Sequence, residues 1–343
     1  MRKRNQTRCC HSIIFIFALF LLIITPINAA NHVTIATIGN RVPEVDKAQG
    51  MQWVVEQVIR FWTKKLAQVL PDKPDLIVLP EYCDFAKGLT KEETNEYLRI
   101  RQDQIMDFFA TQAKAHNCYI AFGMQRAMQD STYRNSCIVV NREGKIAGIY
   151  DKNFPTMDDI ASGVKAGTET PLIRCDFGSI GCAICFDLNF EEVRRKYESL
   201  KPDIIVFPSM YHGGLVQSQW AYSCRSFFVG SMNFREIPSE VRDPLGEVIA
   251  TSTNYSDFTV ATINLDSRLV HLGGGNTPKL TRLKRKYGEK VKIKDPGMLG
   301  AVLVSCEDHH MTVDEMLKEF DIELLDNFFE KARRLRSVSM HKD

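Results

Sequence analysis

The chain has 343 residues, with 44 lysines and arginines against 42 aspartates and glutamates, 10 cysteines, and 44 % hydrophobic residues. That composition excludes a disordered tail, a collagen and a disulfide mini-scaffold, and it leaves enough chain to bury a full core. Residues 1–30 hold Arg2, Lys3, Arg4 and Arg8 and no acid, so without them the net charge moves from +2 to −2. A body so near neutrality argues against nucleic acid as a partner.

The first eleven residues are basic, and residues 12–24 form an unbroken run dominated by Ile, Phe and Leu. The run is shorter than the roughly 20 residues that span a bilayer core. Pro26 and the small residues Ala29 and Ala30 follow it. This build predicts a signal peptide over residues 1–30, with an uncleaved anchor as its rival, and a secreted or periplasmic body. Eight cysteines remain beyond it: Cys83, Cys118, Cys137, Cys175, Cys182, Cys185, Cys224 and Cys306. Export favours pairing, yet most of these lie in apolar strand-like runs, as buried free thiols do. Connectivity is not legible from spacing. One glycosylation acceptor pattern, Asn254-Tyr255-Ser256, falls in a polar loop.

Strand and helix signals then alternate. Residues 33–38 are β-rich and end at Gly39, and Met51, Val54, Val55, Val58, Ile59 and Trp62 recur at helical spacing up to about Leu70. A short buried strand over 76–79 stops at Pro80. Ile105, Phe108, Phe109 and Ala113 predict a helix over 100–115, followed by a strand over 119–124. Residues 136–140 and 146–150 flank the turn Asn141-Arg142-Glu143-Gly144 as a hairpin. Two strands hinged near Gly178 are expected over 175–180 and 182–186, then a helix over about 190–200 and a strand over 204–207. A helix over about 217–226 precedes strands at 227–232, 248–250 and 259–265.

One weak repeat stands out. Pro74-Asp75-Leu76-Ile77-Val78-Leu79-Pro80 returns as Pro202-Asp203-Ile204-Ile205-Val206-Phe207-Pro208, which predicts a two-fold-like pair of strands in a layered α/β domain. After Ser267 the character changes. Residues 271–276 read as a flexible loop, and residues 279–294 hold eight Lys or Arg and the single acid Glu289. The near-neutral balance makes that run a solvated face. Residues 312–335 read as one amphipathic helix, opened by a Thr312–Glu315 capping box, that packs on the body or a partner subunit.

Three strand exits carry reactive side chains: Glu81 after Pro80, Lys152 after Tyr150-Asp151, and Cys185 after Cys182-Ala183-Ile184. A thiol at the end of a buried strand has its sulfur held in place, with backbone N–H groups close by. A free thiol has a pKa near 8.5, so a carboxylate in a dry cleft is needed to take its proton. An ammonium stabilises the thiolate and, later, the oxygen of a tetrahedral intermediate. Glu, Lys and Cys thus form a hydrolytic set that requires no metal or cofactor. Cys182-Ala183-Ile184-Cys185 is formally a Cys-x-x-Cys, but no second pair exists and strand alternation sends the two thiols to opposite faces. A Cys–His hydrolase using His212, in the loop Tyr211-His212-Gly213-Gly214, is a rival; a satisfied loop histidine is the plainer reading of that residue.

The order Pro80-Glu81, Lys152 before Phe154-Pro155, and Cys185-Phe186-Asp187-Leu188-Asn189-Phe190-Glu191 resembles the nitrilase or carbon–nitrogen hydrolase superfamily. Gly167, Gly178-Ser179-Ile180-Gly181 and Arg242-Asp243-Pro244-Leu245-Gly246-Glu247-Val248 add to the resemblance, which covers residues 33–265. It implies an α-β-β-α sandwich of two packed mixed sheets with helices outside, pairing into a homodimer or higher oligomer. The domains it suggests are a leader over 1–30, a hydrolase domain over 31–266 and a C-terminal extension over 267–343. It implies Glu81 as base, Lys152 as oxyanion stabiliser and Cys185 as nucleophile, with the Phe186 backbone N–H completing the oxyanion site. The expected activity is thiol-dependent hydrolysis of a small-molecule amide or N-carbamoyl bond through a thioester. Two departures stand out: Asp159, with Asp158 and Glu169 as competitors, replaces a second glutamate, and Asn153 stands where histidine is common. The shorter carboxylate keeps a catalytically silent binding or scaffold protein open as the alternative.

Overall fold

The computed structural model describes residues 30–130 and 132–340, so the leader read from residues 1–30 lies, Ala30 apart, outside the described residues. The first half of the chain gives β1 (His32–Ile38), β2 (Val42–Glu44), α1 (Met51–Val69), β3 (Leu76–Val78), β4 (Ala86–Lys87), α2 (Lys91–Arg101), α3 (Gln104–His116), β5 (Tyr119–Ala127), β6 (Tyr133–Val140) and β7 (Ile146–Asp151). Then come α4 (Met157–Ala161), β8 (Ile173–Arg174), β9 (Ser179–Cys182), α5 (Glu191–Leu200), β10 (Ile204–Ser209), α6 (Leu215–Cys224), β11 (Phe227–Met232), β12 (Glu240–Arg242), β13 (Val248–Thr251) and β14 (Phe258–Asn264).

These strands build two six-stranded sheets, ordered β14-β1-β3-β5-β6-β7 and β13-β12-β11-β10-β9-β8. In each, three central strands run parallel and antiparallel strands flank them. The repeated Pro-Asp segments are β3 and β10, the middle parallel strand of each sheet, so the expected pair is real. Strand alternation sets the layers. Val33, Ile35, Leu76, Val78, Val139, Ile180, Ile204, Val206 and Val229 meet between the sheets. The opposite faces take α1 and α3 on one side, through Val58, Trp62 and Phe109. On the other they take α5 and α6, through Val193, Tyr197 and Trp220. The fold is the expected α-β-β-α sandwich.

Three expectations need correction. The helix expected over 100–115 begins only at Gln104, as α3; residues 100 and 101 end the unexpected helix α2, and the two are parted where Gln102 takes φ of +41°. Arg101 is drawn into the body by Asp84 and by the carbonyl of Gln125, which fixes that turn. The strands expected over 175–180 and 182–186 are instead β8 and β9, joined by a turn over 175–178, and residues 185–189 form a 3-10 turn. Beyond residue 266, the expected loop, basic run and single helix form a small unit of their own. It comprises β15 (Ser267–His271), α7 (Asn276–Tyr287), β16 (Val291–Lys294), β17 (Ala301–Cys306), α8 (Val313–Glu319) and α9 (Leu325–Met340). The Thr312–Glu315 capping box is present, but the amphipathic segment breaks between α8 and α9. There the buried amide of Asn276 donates to the carbonyl of Glu323 at 2.9 Å and accepts from its N–H at 3.1 Å, replacing helical bonds.

Five of the eight basic side chains of the run pair with acids of the described residues, among them Lys279 with Asp321 at 2.7 Å, Lys290 with Asp308 at 2.7 Å, and Lys294 with Asp243 at 2.5 Å. The eight cysteines among the described residues are all free, and Tyr255 in the Asn-Tyr-Ser turn is 90 % exposed. Among the described residues no helix is long and apolar enough to cross a membrane.

Candidate active site

Glu81, Lys152 and Cys185 converge although 71 residues separate the first two. Glu81 leaves the end of β3 after Pro80, and β5 passes directly beside it. A Cβ at Gly123 would stand 2.6 Å from the Glu81 Cα, so only glycine allows that approach. Lys152 follows β7, its backbone N–H held by the Asn135 carbonyl at 2.8 Å. Gly167 closes over the same exit, where a Cβ would meet the Asp151 carbonyl at 2.2 Å. Cys185 follows β9 with φ of +47°, a sparsely populated conformation for a residue with a side chain.

Glu81 is 1 % and Lys152 2 % exposed. Lys152 Nζ donates to Glu81 Oε1 at 2.8 Å and to Asp159 Oδ2 at 3.0 Å. Asn135 Nδ2 also donates to Glu81 Oε1, at 2.7 Å. Glu81 Oε2 is buried and accepts no hydrogen bond. One oxygen therefore holds the carboxylate in place and the other is free to receive a proton. Asn233 Nδ2 fixes the Glu81 carbonyl at 2.5 Å from the far side.

Burial, with Glu81 close by, pushes the Cys185 thiol up to about 12, against the opposing pull of Lys152 and the Met210 backbone. Lys152 favours the thiolate, as expected, but burial and the Glu81 charge outweigh it. Burial disfavours the charge on Lys152, but Glu81, Cys185 and Asp159 together lift its pKa above the ordinary lysine value. Asp159 is half-buried, which opposes its charge, yet Lys152 and the Tyr82 hydroxyl, 2.7 Å away, hold its carboxyl below the usual range. Burial and the neighbouring acids raise Tyr82, which stays a hydrogen-bond donor.

Asp159, and neither of its competitors, thus reaches Lys152. It also caps α4 through the N–H of Thr156. Asp158 is exposed, and Glu169 gives only its carbonyl to Asn153. Phe186 directly follows the thiol, with its ring edge-on to Phe190 at 5.1 Å. His212 is engaged away from the thiol: its Nδ1 accepts from Gly214 N–H at 3.1 Å, and its buried Nε2 lies 3.2 Å from Glu240 without making a hydrogen bond. It is a loop histidine with one of its two nitrogens satisfied.

Sequence reasoning missed Asn135, Asn233, Tyr82 and Asp187. Asp187 ties the two reactive segments together. It accepts from Ile184 N–H at 2.9 Å beside the thiol, from Phe154 N–H at 2.7 Å beyond the lysine, and from Tyr150 OH at 2.8 Å. Asp187→Asn puts an amide N–H against one of these donors. It should lower turnover by roughly tenfold to a hundredfold, the worth of about 1.5–3 kcal/mol for hydrogen bonds to a charged group. Burial outweighs the donors and lifts the Asp187 carboxyl to about 6. The native group then binds its proton more tightly than the unfolded one, so its contribution to stability falls as pH rises from about 4 to about 6 and is level above. Urea melts across that window should show this slope in the wild type and lose it in Asp187→Asn.

A cavity of about 500 Å³ adjoins the site, its wall including Tyr82, Asp159, Met210 and Asn233.

Residues 34–268 match the family model described as carbon–nitrogen hydrolase. The chain is 25 % identical over 190 residues to the nitrilase and fragile histidine triad fusion protein NitFhit of Drosophila melanogaster, covering 53 % of this chain and 39 % of that one. Over 244 residues it is 24 % identical to a deaminated glutathione amidase of Dictyostelium discoideum, covering 62 % of this chain and 84 % of the relative. It spans 39 % and 50 % of the length of the two NitFhit proteins it matches. A carbon–nitrogen hydrolase from Helicobacter pylori G27 superposes with a TM-score of 0.58 at 16 % identity, covering 75 % of this chain and 94 % of that one; the likeness is one of fold.

Proposed function

The chain belongs to the carbon–nitrogen hydrolase family, and from that premise we propose that it hydrolyses a small-molecule amide or N-carbamoyl bond through a thioester on Cys185. The observation that carries this reading is the unclaimed Oε2 of Glu81, whose other oxygen, Oε1, is held in a dry cleft by Lys152 and Asn135, while Glu81 acts on the thiol. As the sulfur attacks the carbonyl carbon, the thiol proton passes to Glu81. The Lys152 ammonium and the Phe186 N–H take the developing oxyanion. The C–N bond then breaks, and the leaving nitrogen takes the proton from Glu81. Water attacks the thioester while Glu81 removes its proton; the acid leaves and the proton returns to sulfur. Asp159 keeps Lys152 aimed, a task that its 3.0 Å contact performs despite the shorter side chain.

Acid quenching during turnover of a panel of amides and N-carbamoyl compounds tests this. The expected result is an acyl mass increment on the peptide holding Cys185, absent in Cys185→Ala. No increment and no turnover with any compound would favour the silent binding reading instead.

A further inference from the structure

The cavity beside the thiol is lined by three cations, Arg41, Lys87 and Lys91, against two acids, Asp158 and Asp159. Asp159 is already committed to Lys152 and Tyr82. Among the described residues none of the three cations forms an ion pair, although the other acid, Asp158, lines the same cavity. Lys87 stands opposite Glu44 in the β2–β4 pair, and Lys87 and Lys91 are exposed, so solvent weakens both.

Arg41 differs. It follows β1, the strand beside the one that delivers Glu81. Its turn is fixed by Asn40, whose N–H reaches the Met232 carbonyl at 2.8 Å and whose amide reaches Asp257 at 3.0 Å. Arg41 is half-buried, and its guanidinium lies over the Phe234 ring, 5.1 Å from its centroid. Phe234 adjoins Asn233, which lines the same cavity and holds the Glu81 backbone. Among the described residues the guanidinium donates no hydrogen bond to a side chain or carbonyl. Stacking on a ring spends its face and leaves its N–H fork free, the geometry that receives a carboxylate in two parallel bonds.

We propose that Arg41 is a specificity-determining residue that binds a carboxylate at the far end of the substrate's acyl chain, so that the preferred substrates are amides of acidic acyl groups. This rests on the amidase reading above. Lys87 and Lys91 add a positive rim that gathers such anions without selecting among them.

Two measurements test it. The first compares kcat/KM for monoamides of straight-chain dicarboxylic acids with that for unbranched alkanamides of equal length. The wild type should favour the acidic amide by roughly a hundredfold, because a polar site left unpaired penalises the neutral analogue. Arg41→Met should remove most of that preference while leaving the alkanamide within about threefold, and Arg41→Lys should restore part of it. Equal rates in the wild type, or an equal fall for both substrates in Arg41→Met, would overturn the proposal. The second is calorimetric binding of glutarate, which needs no turnover. Binding weakened at least about tenfold by Arg41→Met, in a protein that turns over no amide, would uphold the Arg41 site and sink the amidase reading. Glutarate binding that is absent, or indifferent to Arg41→Met, would overturn the site itself.

Discussion

Glu81→Gln should lower amide turnover by about a thousandfold, within the range that a positioned general base supplies. With the thiol pushed up to about 12, the thiolate is a small minority at neutral pH. Attack therefore depends on a base that takes the proton as the sulfur moves. Glutamine keeps the shape and keeps one oxygen for Lys152 and Asn135, but it turns an amide N–H toward the sulfur and accepts nothing there. The same change has a second readout of opposite sign. Because the Glu81 charge raises the thiol, its loss leaves Lys152 unopposed and should move the pH midpoint of Cys185 alkylation downward. A protein that is slower in turnover yet more acidic at sulfur is the expected result, read by steady-state rates and by mass-detected iodoacetamide labelling. Turnover within about tenfold of wild type, in a variant whose circular dichroism is unchanged, would remove Glu81 as the base.

The reactive trio was legible because each member stands where an apolar strand ends. Such a run announces burial, and the polar residue that follows must then serve as cap, partner or reagent. The groups that position the trio carry no such signal. Asn135 is one polar residue within β6, Asn233 follows β11, and each meets Glu81 only because the sandwich brings those edges together. Asp187 sits two residues from the thiol, but its meeting with Phe154 and Tyr150 depends on where β7 ends.

Helix α2 was illegible for another reason. Its sequence is mostly charged and it buries only Tyr97, Leu98 and Arg101, a stripe too narrow to give a helical period. Composition showed only part of the C-terminal unit. Its basic residues are largely exposed, as a solvated face should be, but acids from α8 and the turn after it, from the β17 exit and from the sandwich answer five of the eight, which composition alone does not show. Local pattern finds elements that bury a wide face; contacts set by topology lie beyond it.

Lys152→Ala should cost roughly a hundredfold or more in turnover, about 2.7 kcal/mol, the scale of one lost oxyanion donor. The side chain has no route to solvent and two carboxylates bind it, at 2.8 and 3.0 Å. Alanine therefore strands Glu81 and Asp159 beside each other in a dry cleft, and breaking a buried pair in this way costs about 3–5 kcal/mol of stability. Falling activity alone would then be ambiguous, which is why Lys152→Arg matters. It keeps the charge that Glu81 and Asp159 require, so its melting temperature should lie well above that of the alanine variant. Its planar fork cannot serve as a compact point charge among Glu81, Asp159 and the thiol, so its turnover should remain depressed by a similar factor. Stability rescued without activity separates the two roles of one ammonium, which holds the carboxylates together at rest and meets the oxyanion in flight. If Lys152→Ala proves folded and turns over amide within a few-fold of wild type, the ammonium plays no part at the reacting carbonyl, and the oxyanion rests on the Phe186 backbone alone.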